Sequence, residues 1–317
     1  MKRLALLLTL SISTLSHAWT IEGVGDYKFD KLSDSAYVMH GPLGEPNKQN
    51  QGFMNNPGII IGAHGVIVID PGGTYQVGQQ VINEIKKITD KPIVAAFNTH
   101  VHGDHWLGNQ AVLEQYPNVK IYAHSQMIAE AKDGEGEFWT GLIERLTEGA
   151  SKGTIATYPT DATSHLQIIN VGSEQFKIHN PTTKAHTTTD IMIEHVGSKT
   201  LFLGDNDMVH RLGGFGGTSD MHSNIKVLNY ATNLNLNHYV PGHGPSGDAE
   251  HAVKPYLGYL LILQDEARKG YEEDLADYEI KPFADKRLAE YRDWHGYDAQ
   301  LGRHINKMLL EIESLDL

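Results

Sequence analysis

A run of metal-ligand side chains restricts the possible fold more than any other feature of the sequence. Residues 99–105 read Thr-His-Val-His-Gly-Asp-His and come directly after the apolar segment 93–97, which predicts a short buried strand. Because alternate residues of an extended chain point to the same side, we expect His100 and His102 to face one point in space. The run therefore predicts a metal site at the end of a buried strand.

The second half of the run completes the set of ligands. Gly103 permits a turn that re-aims Asp104 and His105 toward a neighbouring point. Such a cluster of four ligand-type side chains can hold two metal ions a few ångströms apart. The spacing His-Glu-x-x-His, which is typical of helical metalloprotease sites, is absent from the sequence. The alternative interpretation of the run is a histidine-rich surface loop.

Three further ligand-type residues lie at predicted junctions between strands and loops. His186 precedes the apolar segment 191–193, Asp205 ends an apolar run that begins at Leu201, and His243 follows a short apolar segment. Ligand sites of α/β proteins cluster at strand ends, which favours a shared site. Taken singly, His186 could be an ordinary loop residue, and Asp205 could stabilise a turn.

Composition limits the kinds of site and partner that the chain can use. The 317 residues include 18 histidines and no cysteine, which excludes disulfides, thiolate nucleophiles and iron–sulfur clusters. The formal net charge is −13. Nucleic-acid binders need clustered Lys and Arg to neutralise phosphates, so we expect no nucleic-acid partner for this acidic chain. The partner that we expect instead is a small-molecule substrate.

The amino terminus predicts export. Residues 1–18 begin with Lys2 and Arg3, continue with an apolar stretch and end in a small-residue cleavage pattern at 16–18, as secretory signals do. A membrane anchor or a buried helix is the alternative interpretation. No later stretch of the sequence has the length and apolarity of a membrane span. We therefore expect a periplasmic or secreted protein with no membrane span after signal cleavage.

The rest of the chain alternates strand-like and helix-like segments. The pattern of strands followed by helices occurs twice, at about 36–150 and at 165–270, which predicts two sheets packed face to face with helices outside. The predicted elements are a hairpin at 58–69, a helix at 75–88, strands at 93–97 and 118–122, a helical stretch at 125–150 interrupted at 134–136, strands within 166–203, a helix at 225–236, a strand ending at Val240, and helices from Ala249 broken near Pro282 and Gly296.

The combined motifs resemble the metallo-β-lactamase superfamily over about residues 36–260. The resemblance implies an α/β fold, the four-layer αββα sandwich, with a C-terminal helical extension. We expect a catalytic domain at 19–270 and the helical extension at 271–317. By the same resemblance, one metal would be held by His100, His102 and His186, a second by Asp104, His105 and His243, and Asp205 would bridge the two.

This ligand set implies an exported hydrolase with two Zn²⁺ ions, for which iron or manganese could substitute. A hydroxide held by the metals would attack an ester, thioester or amide-type carbonyl, with Asp104 orienting the nucleophile. Three alternatives remain open. They are a β-lactamase of low or promiscuous activity, a mononuclear-iron enzyme similar to persulfide dioxygenases, and a non-catalytic periplasmic metal-binding protein.

The bridging position narrows the subgroup. The sequence lacks the cysteine ligand of one β-lactamase branch, and Asp205 stands where the cysteine-free branch usually has serine. An aspartate there resembles the thioesterases, lactonases, arylsulfatases and phosphodiesterases of the superfamily. Quorum-quenching lactonases carry a tyrosine three residues later, where this chain has Met208. The export signal, residues 241–245, the helix that follows them and the tail at 291–313 look similar to exported zinc metallohydrolases that accompany quinoprotein and sulfur-oxidation systems.

Several residues near these motifs have two open interpretations each. Asp70 and Thr99 could orient ligands or stabilise turns. Residues 213–217, Gly-Gly-Phe-Gly-Gly, predict a flexible loop beside the site rather than a phosphate cradle, because no P-loop Lys follows. The aromatic pair at 138–139 could wall the site or pack in the core. The roles of three residues stay open: Asp207, His210 and Arg211. The apolar spacing of the tail, through Leu301, Ile305, Leu309 and Ile312, predicts packing on the main domain, with a dimer contact as the alternative.

Overall fold

The computed structural model describes residues 23–316, and the predicted signal peptide lies outside them. The strands are β1 (Phe29–Lys31), β2 (Ala36–Met39), β3 (Gly58–Ile61), β4 (Val66–Ile69), β5 (Ile93–Phe97), β6 (Lys120–His124), β7 (Asp161–Thr163), β8 (Ile168–Val171), β9 (Glu174–His179), β10 (Met192–His195), β11 (Thr200–Met208) and β12 (His238–His243). The helices are α1 (Tyr75–Ile88), α2 (Gly103–Trp106), α3 (Asn109–Gln115), α4 (Ser125–Glu130), α5 (Gly136–Leu146), α6 (Met221–Asn233), α7 (Ala249–Ala252), α8 (Lys254–Glu272), α9 (Asp277–Arg287) and α10 (Tyr297–Asp316). A π-helical turn at Ala131–Glu135 joins α4 to α5.

The strands form two sheets. The first has the order β1-β2-β3-β4-β5-β6-β7, with antiparallel neighbours as far as β4 and parallel neighbours from β4 onward. The second has the order β12-β11-β10-β9-β8, and only β11 and β12 run parallel. Parallel strands bring their carboxyl ends to one edge, which places the ends of β4, β5 and β6 together.

The two sheets pack face to face, with helices outside. The central core joins Phe97 and Ile67 of the first sheet to Phe176, Ile193 and Phe202 of the second. Helices α1 and α3 cover the outer face of the first sheet. Helices α6, α8 and α10 cover the outer face of the second sheet. The predicted αββα sandwich is therefore confirmed.

The C-terminal helices pack on this sandwich. Leu301, Ile305 and Ile312 of α10 are buried in the same cluster as Leu260 of α8 and Leu228 of α6. No helix within residues 23–316 is long and apolar enough to cross a membrane.

Several predicted boundaries are wrong, and local interactions explain why. Helix α6 begins four residues earlier than predicted, because the Asp220 side chain accepts the Ser223 N–H and caps it. Pro282 lies inside α9, while the chain turns between α8 and α9, where Asp274 has φ of 56°. Strand β6 lies two residues later than predicted, and the predicted break in the 125–150 helix is confirmed at Gly134, whose φ is 119°.

Strands β11 and β12 continue past their predicted ends. Asp205 lies within β11, whose pairing with β12 shifts register on both sides of Gly204. Gly204 has φ of 54°, and a Cβ there would lie 2.7 Å from the Oγ1 atom of Thr99. The glycine therefore lets β11 bulge toward the loop that follows β5 while both strands keep pairing as far as His243.

Candidate metal centre

The predicted ligand residues come from five separate segments that meet at one edge of the two sheets. His100 and His102 follow the end of β5, and Asp104 and His105 lie in the single-turn helix α2. The other three residues lie on or before strands of the second sheet: His186 before β10, Asp205 within β11 and His243 at the end of β12.

The side chains form two groups. His100, His102, His186 and Asp205 make up one group, whose ligand atoms all lie within 4.8 Å of one another. The second group consists of three residues under the same limit, Asp104, His105 and His243. All seven are buried except His102, which is half-buried. The structure thus brings together every residue that the sequence motifs singled out, in the partition that the resemblance implied.

Asp205 lies between the two groups. Its Oδ2 atom is 3.5 Å from His186 Nε2 and 3.8 Å from His100 Nε2. Its Oδ1 atom is 3.0 Å from His105 Nε2 and 3.3 Å from His243 Nε2. One carboxylate oxygen therefore faces each group, as a bridging ligand requires.

Unpaired buried atoms test whether these residues suit a metal. His100 Nε2, His105 Nε2 and Asp205 Oδ1 are buried, and none of them makes a hydrogen bond of normal geometry among the described residues, although the last two lie 3.0 Å apart. Buried polar atoms without partners are costly in folded proteins, and a bound cation removes that cost. Imidazole nitrogens and carboxylate oxygens are common zinc ligands, so the donor set fits that ion.

The electrostatic environment also favours a cation. Burial lowers the pKa of His100 well below its usual value and that of His186 to about 3, so both rings are neutral. For His105, burial acts in the same direction, but the carboxylates of Asp205, Asp104 and Asp70 outweigh it and raise the pKa well above its usual value. Positive charge is therefore stabilised beside the aspartates.

A buried carboxylate orients the rings that follow β5. Asp70 Oδ2 lies 2.9 Å from His105 Nδ1 and accepts the Thr99 hydroxyl at 2.6 Å, while its Oδ1 accepts the Thr99 N–H at 2.9 Å. The Thr99 hydroxyl in turn lies 3.0 Å from His100 Nδ1. These contacts direct the Nε2 atoms of both rings toward the site. Asp70 therefore has the ligand-orienting role, and its backbone takes the left-handed conformation with φ of 49°.

His243, a ligand from the second sheet, is held in place by residues 54–56, which the sequence motifs did not single out. His243 Nδ1 donates to the Met54 carbonyl oxygen at 2.8 Å. The Asn56 amide group donates to the carbonyl oxygens of Pro241 at 2.9 Å and Gly244 at 2.7 Å, on either side of that histidine. Nothing in the spacing of Met54 and Asn56 along the chain connects them with residues 241–244, so only the folded structure could identify them.

A cavity of about 410 Å³ opens over both groups. Besides ligand side chains it is lined by Glu45, Pro46, Met54, Trp139, Leu142, Leu146, Met208, Arg211, Gly213, Gly214, Phe215 and Gly216. Trp139 packs its ring 5.0 Å from that of His102 and forms a wall. Phe138 is exposed and outside the lining, and its ring packs 5.8 Å from that of Trp139. The glycine-rich loop lies beside the site, as the sequence indicated.

The three residues with open roles lie in different surroundings. The guanidinium of Arg211 bonds to the Leu43 carbonyl oxygen and pairs with Glu45 at 3.1 Å, so it contributes to the rim of the cavity. His210 packs on the Trp294 ring at 5.7 Å. Asp207 is fully buried, and burial raises its pKa well above the usual value.

Comparison with known proteins gives a family-model match and partial sequence matches. A family model described as the metallo-beta-lactamase superfamily matches residues 51–243. The chain is 31% identical over 116 residues to a hydroxyacylglutathione hydrolase of Synechococcus sp. (strain JA-2-3B'a(2-13)), covering 33% of this chain and 42% of that protein. It is 34% identical over 74 residues to a linear primary-alkylsulfatase of Pseudomonas sp. (strain ATCC 19151), covering 22% and 14%. Each match therefore spans less than half of the relative.

A solved structure supports the fold. The metallo-beta-lactamase from Pontibacter korlensis superposes with a TM-score of 0.58 at 16% identity. The superposition covers 74% of this chain and 99% of that one. At this identity the likeness shows the shared sandwich alone.

Proposed function

The chain belongs to the metallo-beta-lactamase superfamily, and on that premise we propose that it is a hydrolase that uses two zinc ions to cleave an ester, thioester or amide-type bond. The observation that carries the proposal is the position of Asp205, whose two oxygens face different ligand groups. A carboxylate shared in this way, with three further side chains on each side, is the arrangement that a dinuclear site needs.

The donor set supports zinc. Five imidazoles and two carboxylates, with no thiolate, suit zinc and also accept iron or manganese. Zinc ions bound there would polarise a carbonyl oxygen and lower the pKa of water at the site.

Asp104 is the side chain that we assign to the nucleophile. Burial raises its pKa, but His105 and His243 outweigh that effect and lower it to about 2, so the carboxylate is ionised. It lines the cavity and lies 3.4 Å from the Nε2 atoms of both histidines. A carboxylate there can accept a hydrogen bond from an attacking water and hold its proton.

The surrounding cavity supports a small-molecule substrate. Seven apolar side chains share the lining with the ligands, and they would limit the access of water to a bound substrate. The similarity to a hydroxyacylglutathione hydrolase, whose name places an acyl group on its substrate, also favours acyl transfer to water.

We also propose that the protein is exported to the periplasm or secreted. The support is the basic start, apolar stretch and small-residue pattern within residues 1–18. Fractionation of cells that produce the full chain, with amino-terminal sequencing of the product, tests this. A mature protein that begins near Trp19 outside the cytoplasm is expected, and an uncleaved cytoplasmic chain would contradict it.

The hydrolase proposal is tested with a substrate panel on protein of measured metal content. The panel contains a thioester, a lactone, an aryl ester, a β-lactam, a phosphodiester and a sulfate ester. We expect two zinc ions per chain and turnover of at least one carbonyl substrate. Asp104→Ala and His102→Ala should lose turnover by at least about a hundredfold while remaining folded, whereas the exposed His251→Ala should not.

Each alternative predicts a different result. One iron per chain would overturn the hydrolase proposal in favour of an oxygen-dependent enzyme. Turnover of the β-lactam alone would identify a lactamase. Absence of turnover on the whole panel by protein that holds two zinc ions would favour a non-catalytic metal-binding partner.

A further inference from the structure

The glycine-rich loop of residues 213–217 forms one side of the cavity. Four of its five residues are glycine, so the isolated segment has high conformational entropy. It therefore needs contacts with the rest of the protein to keep a single conformation. Phe215, the exception, lines the cavity and packs its ring 6.2 Å from the ring of His186. The position of this wall therefore depends on what holds the loop.

A buried histidine of the C-terminal helix holds the start of the loop. His304 Nε2 lies 2.9 Å from the Gly213 carbonyl oxygen, and its Nδ1 lies 2.8 Å from the Tyr259 hydroxyl. A carbonyl oxygen only accepts, so Nε2 carries the proton and Nδ1 accepts from the tyrosine. His304 is 1% exposed, and its ring lies 5.2 Å from that of Phe215.

The same helix also holds the chain just beyond the loop. Glu311 Oε1 accepts the N–H of Met221 at 3.0 Å at the beginning of α6. Residues 304 and 311 lie about two turns apart on one face of α10, because an α-helix has about 3.6 residues per turn. Helix α10 thus contacts both flanks of the loop, and it lies outside the part of the chain that the family model matches.

The opposite wall of the cavity is apolar and helical. Trp139, Leu142 and Leu146 all line the cavity, and their spacing of three and four residues places them on one face of α5. The Trp139 indole donates to Glu135 at 3.0 Å, which fixes the ring beside His102. An apolar cleft therefore runs between α5 and the loop, with the metal ligands at its floor.

We propose that α10 is part of the substrate-binding apparatus, in which His304 is a positioning residue that holds Phe215 as one wall of a cleft for a hydrocarbon chain on the substrate. The substrate class is then an ester or thioester of an apolar acyl group. This inference rests on the proposed hydrolase for its reaction, but not for the architecture of the cleft.

The first test does not depend on activity. Hydrogen–deuterium exchange is compared in the full zinc-loaded protein and in two variants at Leu212, Ser219 and Asp220, whose backbone N–H groups donate hydrogen bonds on either side of the loop. His304→Leu removes the donor to Gly213 and should increase exchange of these amides at least tenfold. His304→Gln retains an N–H donor and should restore much of the protection. Equal exchange in the parent protein and His304→Leu would overturn the positioning role.

The second test measures the cleft itself. Calorimetry compares the binding of octanoate and acetate to zinc-loaded protein. Each methylene that becomes buried strengthens binding roughly fourfold, so octanoate should bind at least tenfold more tightly. Phe215→Ala and His304→Leu should reduce that ratio by at least threefold, whereas Phe283→Ala, which removes an exposed ring outside the lining, should not. An unchanged ratio in Phe215→Ala would overturn the inference.

Kinetics then connects the cleft to the reaction. With 4-nitrophenyl octanoate and acetate, Phe215→Ala should raise KM for the longer ester at least threefold more than KM for the shorter one. Equal losses on both esters would contradict a role in chain recognition. Absence of ester turnover by the parent protein would count against the proposed hydrolase. The exchange and binding results would still show whether α10 positions the loop and whether the cleft binds a hydrocarbon chain.

Discussion

Replacing Asp70 by asparagine should weaken metal binding at both ligand groups and leave the protein folded. Asp70 Oδ2 accepts hydrogen bonds from His105 Nδ1 at 2.9 Å and from the Thr99 hydroxyl at 2.6 Å. A hydroxyl has one proton, so Thr99 must accept the bond from His100 Nδ1 at 3.0 Å. The carboxylate therefore determines which nitrogen of both rings is free to face a metal.

The expected magnitude follows from the kind of bond that is lost. A hydrogen bond to a charged group contributes roughly 1.5–3 kcal/mol, and losing an outer partner of a metal ligand costs about 10–100-fold in affinity. The loss should be larger at the group that contains His105, which Asp70 contacts directly. The effect on His100 passes through Thr99 and should be smaller. Asparagine tolerates the φ of 49° at this position, so the local backbone conformation is retained.

The assay is a zinc titration in competition with a chromophoric chelator, which resolves the two binding steps. The matched control is Asp248→Asn, since Asp248 bonds to His251 Nδ1 at 2.7 Å but both residues are exposed. The control should bind zinc like the parent protein. Two unchanged affinities in Asp70→Asn would refute the reasoning that this carboxylate orients the ligands.

Three further predictions concern packing, protonation and metal loss. Gly242→Ala would place a Cβ in collision with Asp205 Oδ1, so it should lower the free energy of unfolding by about 1–3 kcal/mol and weaken zinc binding. Gly214→Ala, whose Cβ would meet nothing within 4 Å, should leave both unchanged, and equal behaviour of the two variants in thermal unfolding and zinc titration would contradict this. Burial lowers the pKa of His304 from 6.5 to about 4, so the unfolded chain takes up the proton first as the pH falls. Between pH 7 and 4 the free energy of unfolding of the parent protein, measured with urea, should therefore fall by about 3 kcal/mol more than that of His304→Gln, and parallel pH profiles would refute this. Removing metal with a chelator should lower the melting temperature, and added zinc should restore it, because an ion at about 1,000 times its Kd stabilises the folded state by about 4 kcal/mol. An unchanged melting temperature would count against a structural contribution of the metals.

The ligand residues could be found from the sequence because their chemistry and their spacing are both local. His100 and His102 follow a buried strand, and glycine allows the turn into α2 that carries Asp104 and His105. The ends of β11 and β12 could not be predicted from the sequence, because both strands are extended by parallel pairing that depends on the bulge at Gly204. Pairing between distant segments leaves no periodic signal in either one.

The sequence by itself indicated two packed sheets with helices outside and the side chains that have metal-ligand chemistry, because strand periodicity and ligand identity are properties of short segments. The αββα class followed from the resemblance that these motifs carry. Only the tertiary structure decided how these side chains are held and what lies over them. Met54 supports His243 from 189 residues away along the chain, and His304 reaches Gly213 across 91 residues. Such contacts form when the two sheets and the outer helices pack, so no short stretch of sequence encodes them.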